Sequence, residues 1–242
     1  MALFALSTLG SNNIDEISSA NNDPSWLKEY RKNSFSIYQE LPPEVSPLYN
    51  KYSDANKMDP QQVLFSLSSD STIPSFIKDR IAEIADNPCI VQVGTNIQKI
   101  NLPPELKSKG VVICSINDAI RDHQDKIKKS LESTDPKKDK YTALNNALFN
   151  SGFFIYIPRN LILEKPIHII SLLSSDGTST VSRNIVVGEE GSKGLIVQEL
   201  YATKSPKQQA YLELLDVQVN QNAELDLVTL QAMDQNAINF ST

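Results

Sequence analysis

The sequence is poor in the residues from which metal sites and disulfide networks are built. Its 242 residues include two cysteines, Cys89 and Cys114, and two histidines, His123 and His168. Two cysteines cannot form a disulfide framework, and these four side chains are too widely separated in the sequence for a self-contained metal site. We therefore expect a reducing, cytoplasmic compartment, and no metal or cofactor bound by this segment itself.

Long apolar runs and clusters of basic residues are missing as well. No segment approaches the roughly 20 apolar residues that span a bilayer, and the apolar start, MALFALSTLG, lacks the features of a secretory signal. Lysine and arginine total 23 against 29 aspartates and glutamates, so the net charge is −6. Nucleic-acid binding needs a positive face, so we expect no nucleic-acid partner. Since no apolar run is long enough to span a bilayer, we also expect a soluble chain that does not bind membranes.

Motifs for nucleotide binding and for acid–base catalysis are not found. The three glycines of GEEGSKG form neither GxGxxG nor a Walker loop, because no Lys-Ser/Thr pair and no helix follow them. Glu189 and Glu190 are adjacent in a turn and point apart, and nothing near Asp234 indicates the raised pKa of a general acid. We assign no catalytic residue, and the chain is predicted not to be an enzyme.

Two amphipathic helical patterns dominate the chain up to residue 88. In DPSWLKEYRKNSFSIYQELPP, apolar residues recur at helical spacing between an N-cap at Asp23 and a stop at Pro42 and Pro43. In STIPSFIKDRIAEIADNP, one phenylalanine and three isoleucines fall on one side. We interpret both helices as core packing or a docking arm within a helical N-terminal region, residues 1–88.

Residues 89–150 are predicted to form a small mixed α/β region with connecting helices. CIVQVG, IQKINLP and GVVICSI are typical of strands, and both cysteines lie inside such runs, where a small buried thiol is ordinary. SINDAIRDHQDKIKKSLES predicts one helix that is capped near Ser115 or Asn117 and turns His123 toward solvent. The lysine-rich TDPKKDK is interpreted as a solvated loop.

Beyond residue 150 the sequence becomes a succession of strands and turns. RNIVVG, LIVQELYA and AYLELLDVQV alternate apolar with polar residues, so each has one buried face. Such units fit an antiparallel sandwich or barrel, or a flattened solenoid of parallel strands, and the scarcity of Asn-Gly and Asp-Gly turns favours the solenoid. His168, between Ile167 and Ile169, is expected to be an exposed or hydrogen-bonded strand residue.

The segment ALNNALFNSGFFIYIPRNLILEKPIHI joins a helical pattern to a strand pattern. Phe149 is expected to end the helix against the solenoid, with Phe153 and Ile155 facing one way and Phe154 and Tyr156 the other. We interpret these aromatic residues as an apolar cap on the first turn of the solenoid, in preference to a cluster that stacks on a ligand.

Four stretches resemble the SufB/SufD family of the SUF iron–sulfur cluster assembly system. They occur in the family's order, span most of residues 25–242, and are WLKEYRKNSFSIYQELP, ALNNALFNSGFFIYIPRNLILEKPIHI, RNIVVGEEGSKGLIVQELY and YLELLDVQVNQNAELDLVTLQ. The sequences EKPIHI and RNIVVGEEGS are closer to the SufD side of the family than to SufB.

This resemblance implies a mainly β fold with a helical N-terminal region and a right-handed parallel β-helix core. Residues 151–242 would form the first part of that core, which is a flattened solenoid truncated at its C-terminal end. The resemblance also implies a scaffold subunit that pairs with a SufB-like paralogue and contacts a SufC-like ABC ATPase, through a region expected beyond residue 242. The iron–sulfur cluster and ATP would belong to the complex, and no site residue is carried over.

Two other classes of function remain open at this level. A β-helix carbohydrate-active enzyme would need clustered acidic and basic residues on neighbouring turns, and such enzymes are usually secreted. A generic interaction module with no link to iron–sulfur clusters would need neither. Co-purification with an ABC-type ATPase and a paralogous subunit would distinguish the scaffold hypothesis from both of these alternatives.

Overall fold

The computed structural model describes residues 3–42, 57–68 and 72–242, so the predicted helix stop at Pro43 lies outside the described residues. The helices within these ranges are a short 3-10 turn (Leu6–Thr8), α1 (Ser11–Ala20), α2 (Ser25–Glu40), α3 (Ser75–Glu83), α4 (Pro104–Ser108), α5 (Ile116–Asp122), α6 (Gln124–Ser133) and α7 (Lys140–Leu148). The strands are β1 (Leu3–Ala5), β2 (Leu64–Ser66), β3 (Cys89–Val93), β4 (Asn96–Asn101), β5 (Val112–Ser115), β6 (Phe153–Ile157), β7 (Ile167–Leu172), β8 (Thr178–Gly188), β9 (Lys193–Tyr201), β10 (Gln209–Val219), β11 (Glu224–Ala232) and β12 (Ala237–Ser241).

The strands form two mixed sheets. A seven-stranded sheet has the order β1, β2, β8, β10, β12, with β6 beside β8 and β5 beside β6, and a five-stranded sheet has the order β11, β9, β7, β3, β4. Strands β1–β2, β3–β4 and β5–β6 pair antiparallel, whereas β8 with β10, β10 with β12, β7 with β9 and β9 with β11 are parallel. From β6 onward, successive strands alternate between the two sheets.

The parallel part of the molecule repeats at an interval of 31 residues. Arg159 Nη2 donates to Glu190 Oε1 across this interval, at 2.7 Å. The same interval separates three turn residues with positive φ, which are Asn160 (59°), Gly191 (70°) and Asn222 (58°). A Cβ at Gly191 would clash with Asn160 Oδ1, so a larger residue in the middle turn would have to displace the Asn160 side chain.

The predicted fold class, a mainly β chain with a right-handed parallel β-helix core truncated at its C-terminal end, is wrong. The described chain is a mixed α/β arrangement of two open sheets and seven α-helices. The prediction considered the strands of residues 151–242 alone, but β3, β4 and β5 extend both sheets from the preceding region, partly by antiparallel pairing. Strand periodicity is a local signal and could not reveal these distant partners. The division into residues 1–88, 89–150 and 151–242 stays a prediction.

The predicted helices are found with two corrections at their ends. Helix α2 begins at Ser25 with Pro24 at the N-cap position, not Asp23. The single helix predicted after Ser115 is two helices, because His123 leaves helical geometry with φ −132° and ψ 35°. Ser115 does cap the first of them, as one of the two alternatives predicted.

Apolar side chains fill three successive layers. Helices α1, α2, α5, α6 and α7 cover the outer face of the seven-stranded sheet, a second layer lies between the sheets, and α3 covers part of the outer face of the five-stranded sheet. Alternate side chains of β6 face opposite sides of the strand, as predicted. Phe153 and Ile155 lie between the sheets, whereas Phe154 and Tyr156 face the helices. Phe149 ends α7 as predicted and is fully buried, but it packs in the layer between the helices and the seven-stranded sheet and not against a solenoid.

Candidate functional site

The two cysteines belong to different sheets, Cys89 to β3 and Cys114 to β5. Burial raises the pKa of Cys89, and burial together with the nearby Asp118 and Asp122 raises the pKa of Cys114 to about 12. Cys89 packs in the apolar layer beneath α3, whereas Cys114 packs in the layer between the helices and the seven-stranded sheet. The two thiols therefore do not share one site and do not form the closely spaced cysteine ligands of an iron–sulfur cluster.

The two histidines occupy different environments. His168 is 6% exposed, with Nδ1 3.4 Å from Glu199 Oε1 and Nε2 3.1 Å from Asn87 Nδ2, so it is the hydrogen-bonded strand histidine of the prediction. His123 was predicted to face solvent, but it is half-buried and its ring centroid lies 5.5 Å from that of Phe154. The break between α5 and α6 turns this side chain toward the sheet.

Arg80, His168, Glu199 and Tyr201 form a cluster that joins α3 to the five-stranded sheet, here called the α3 cluster. Arg80 donates from Nη2 to Glu199 Oε1 at 2.8 Å and from Nε to Oε2 at 2.9 Å, and Tyr201 Oη donates to Oε2 at 2.7 Å. Burial alone would raise the pKa of Glu199, but the hydrogen bonds from Arg80 and Tyr201 lower it overall. The carboxylate is occupied by these donors and serves to hold α3 in place.

A second buried carboxylate, Glu213, lies between the sheets. Asn184 Nδ2 donates to its Oε1 at 2.5 Å, Gln198 Nε2 donates to the same oxygen, and Ser241 Oγ is 2.8 Å from Oε2. We call these four residues the Glu213 cluster. Sequence reasoning missed it, although strict alternation in AYLELLDVQV places Glu213 on the same face as the buried Tyr211.

Two ion pairs with fully buried guanidinium groups lie between the helices and the seven-stranded sheet. The Arg31 and Asp23 side chains, 0% and 2% exposed, are joined by an Nε–Oδ2 contact of 2.7 Å. Arg31 Nη1 also donates to the Phe149 carbonyl at 2.7 Å, just beyond the C-terminus of α7. In the other pair, the fully buried Arg183 contacts Asp216.

The acidic residues considered in the sequence make structural contacts in the turns. Glu190 pairs with Arg159, and Glu189 Oε2 accepts from Asn220 Nδ2 at 3.1 Å. Among residues 3–42, 57–68 and 72–242, no group of three or more histidine, cysteine, aspartate or glutamate side chains could hold a metal ion.

Exposed apolar side chains concentrate on β11 and its neighbour β9. Val228 and Leu230 are 52% and 47% exposed on the outer face, next to Leu195 at 37%, and Leu227 is 41% exposed on the inner face. Within the described chain, β11 pairs with β9 alone, so one edge of its backbone is open. We call these four residues the β11 surface. An open strand edge with exposed apolar side chains favours pairing with another chain segment, so this is the candidate interaction site.

In the part of the chain that the structure describes, no helix combines the length and the apolar character that a membrane crossing requires.

The family model and the relatives that match this chain agree on one protein family. A family model described as the SufBD protein N-terminal region matches residues 20–169. The iron-sulfur cluster assembly protein SufD of Bacillus subtilis (strain 168) is 28% identical over 234 residues, which cover 91% of this chain and 51% of the relative.

Two further relatives extend the comparison. An iron-sulfur cluster assembly SufBD family protein of Staphylococcus aureus (strain USA300) is 22% identical over 250 residues, covering 97% of this chain and 53% of its own. A chloroplastic member of the same named family from Arabidopsis thaliana is 28% identical over 247 residues, covering 92% and 43%. The chain thus spans about half the length of the curated relatives it matches.

Proposed function

This chain belongs to the SufBD protein family, and from that premise we propose that it is a SufD-like scaffold subunit in iron–sulfur cluster assembly. The observation that carries the proposal is the family match over residues 20–169, together with relatives named for iron–sulfur cluster assembly that align with more than nine-tenths of the chain. The SufD assignment is supported by the Bacillus subtilis relative.

In this proposal the segment is not an enzyme and binds no cofactor itself. The iron–sulfur cluster is cargo of the assembly, and ATP is bound by an ABC ATPase partner. Support comes from the separate apolar layers that contain Cys89 and Cys114 and from the Arg80 and Tyr201 hydrogen bonds that occupy Glu199. The alternative of a carbohydrate-active enzyme depended on a β-helix fold. The structure has two mixed sheets instead, and no other observation favours this alternative.

The proposed partners are a SufB-like paralogue and a SufC-like ABC ATPase, in the cytoplasm. We assign the β11 surface to the SufB-like paralogue, because exposed apolar side chains beside an open strand edge suit a partner that also carries strands. No surface of this chain is assigned to the SufC-like ATPase.

Co-expression with both partners tests the proposal. The intact polypeptide that contains this chain is tagged and purified anaerobically, and both partners are expected to be recovered with it. Failure to recover either partner, with no bound iron, would favour a generic interaction module instead.

A matched pair of variants tests the assigned surface. Val228→Lys introduces a charge at a position 52% exposed on β11, and we expect recovery of the SufB-like partner to fall by about tenfold. Leu3→Lys makes the same kind of change at a position 53% exposed on β1, and recovery should be unchanged. If Val228→Lys lowers thermal stability and leaves recovery intact, the surface is covered within the polypeptide and the assignment is wrong.

A further inference from the structure

Glu213 is a carboxyl group enclosed by neutral side chains. Its side chain lies on β10 between the sheets, and the residue is 3% exposed. The side chains that face it come from β8, β9 and β12 and from β10 itself, and they are Asn184, Gln198, Ser241 and Tyr211. Of these four facing side chains, Tyr211 alone is titratable, and burial raises its pKa above the ordinary value. No cation in the described chain is paired with Glu213, so an ionised carboxylate here would be an uncompensated buried charge.

The hydrogen bonds around the cluster fix which atoms face the carboxyl group. The Phe153 backbone N–H and Ser182 Oγ both donate to Asn184 Oδ1, at 3.2 Å and 2.9 Å. The amide nitrogen of Asn184 must therefore face Glu213 Oε1, and an inverted amide would lose the backbone donor. On Gln198, Oε1 accepts from Thr229 Oγ1 at 3.3 Å, which leaves its Nε2 for Glu213.

This arrangement distinguishes the two oxygens of Glu213. Oε1 receives two N–H donors, whereas Oε2 faces one hydroxyl, Ser241 Oγ, at 2.8 Å. A hydroxyl can donate or accept. If Oε2 carries a proton, it can donate to Ser241 Oγ, and the cluster then contains no buried net charge. Burial raises the pKa of Glu213 despite the hydrogen bonds from Ser241, Gln198 and Asn184, which is consistent with this arrangement.

We propose that Glu213 keeps its proton at neutral pH and that the resulting O–H bond to Ser241 holds β12 on the seven-stranded sheet. Glu213 and Ser241 are direct partners in the parallel pairing of β10 with β12, and the Thr242 N–H donates to the Glu213 carbonyl at 3.1 Å. Loss of the proton leaves a buried carboxylate that is better solvated when β12 moves away. The cluster is thus a proton-binding site that controls the attachment of one strand, independently of the proposed function.

The direction of the pH dependence follows from the raised pKa. The folded protein holds the Glu213 proton more tightly than the unfolded chain, whose glutamate has its ordinary value of 4.5. The contribution of Glu213 to stability is therefore present below pH 4.5 and is lost progressively as pH rises through the folded-state pKa, above which it is constant.

Hydrogen–deuterium exchange of the β12 amides tests the proposal. The β12 amides should lose protection between about pH 5 and about pH 9, after correction for base-catalysed intrinsic exchange. The loss should be about tenfold for each unit by which the folded-state pKa of Glu213 is raised. Strand β11 serves as the internal reference and should show no such fall. Glu213→Gln, which keeps the shape and carries no charge, should make β12 protection independent of pH.

Carbon-13 NMR of the glutamate carboxyl groups gives a direct second measurement. The signal absent from Glu213→Gln should be that of a protonated carboxyl group well above pH 4.5. Glu199→Gln is the control, because it alters a buried carboxylate of the α3 cluster and should leave the pH dependence of β12 unchanged. The proposal is overturned if the Glu213 carboxyl is ionised at neutral pH, or if β12 protection in Glu213→Gln varies with pH as in the native chain.

Discussion

The outer faces of the two sheets are covered in different ways. The seven-stranded sheet lies under five helices, and two ion pairs, Arg31–Asp23 and Arg183–Asp216, lie within that layer. The five-stranded sheet is covered by α3 over β3 and β7, while β11 leaves Val228 and other apolar residues exposed. The seven-stranded sheet thus has charged pairs beneath its helices, whereas the five-stranded sheet buries Glu199 beneath α3 and leaves apolar side chains exposed on β11.

Buried ion pairs under the helices restrict how those helices can sit. A guanidinium group without water must keep its acceptors, so α2 cannot slide along α7 without breaking the Arg31 contacts to Asp23 and the Phe149 carbonyl. The β11 surface has no such restriction, and apolar contact there is non-directional. The covered face therefore has a fixed geometry, whereas the apolar side chains of the β11 surface impose no comparable restriction.

Removing one member of a buried pair should have the largest effect on the covered face. Asp23→Ala leaves the Arg31 charge buried without its carboxylate, and we expect the free energy of unfolding to fall by about 3–5 kcal/mol. Urea denaturation measures the change. Arg121→Ala is the control, because Arg121 pairs with Asp118 at the surface with its side chain 67% exposed, and it should cost less than about 1 kcal/mol. Equal losses in the two variants would contradict the proposed role of burial.

Truncating a leucine on each face sharpens the same comparison. Leu212→Ala removes a side chain that is 1% exposed beneath the helices, and should cost about 2–5 kcal/mol through the cavity it leaves. Leu230→Ala makes the same change at a position 47% exposed on β11, and should alter stability by less than about 0.5 kcal/mol. Thermal unfolding of both variants checks this, and a large loss for Leu230→Ala would show that β11 is not a free surface.

The α3 cluster should give a smaller, pH-dependent effect. Arg80→Ala removes the charged hydrogen bonds to Glu199, and we expect a loss of about 2–3 kcal/mol at neutral pH. Because the folded-state pKa of Glu199 is lowered, its contribution is present above 4.5 and is lost as pH falls below that value. Stability measured from neutral to acidic pH should show this loss in the native chain and not in Arg80→Ala. The same acid loss in both would exclude the Arg80–Glu199 pair as its cause.

Local features of the fold could be predicted from the sequence. The spacing of Leu27 and its apolar neighbours indicated α2, and the alternation after residue 150 indicated strands whose faces separate Phe153 from Phe154. The sheet topology could not be predicted, because strands β3 and β5 join partners that lie far along the chain. Periodicity gives the faces of an element but not its neighbour.

The polar clusters were missed for a related reason. Arg80 and Glu199 are 119 residues apart in the sequence, and each alone looks like an ordinary surface charge. Arg31 and Glu213 did carry a local signal, since each falls on the apolar face of its helix or strand. A charged residue at a position that periodicity assigns to the core predicts a buried partner, although it does not identify that partner.

The turns at Asn160, Gly191 and Asn222 place a strict limit on how this protein can evolve. Each has left-handed backbone geometry, and consecutive members are separated by 31 residues, the interval that also joins Arg159 to Glu190. A single inserted or deleted codon within a strand would exchange its inward and outward side chains and misalign every later turn. Length changes in this half of the gene should therefore be tolerated at the exposed loop tips and eliminated by selection elsewhere.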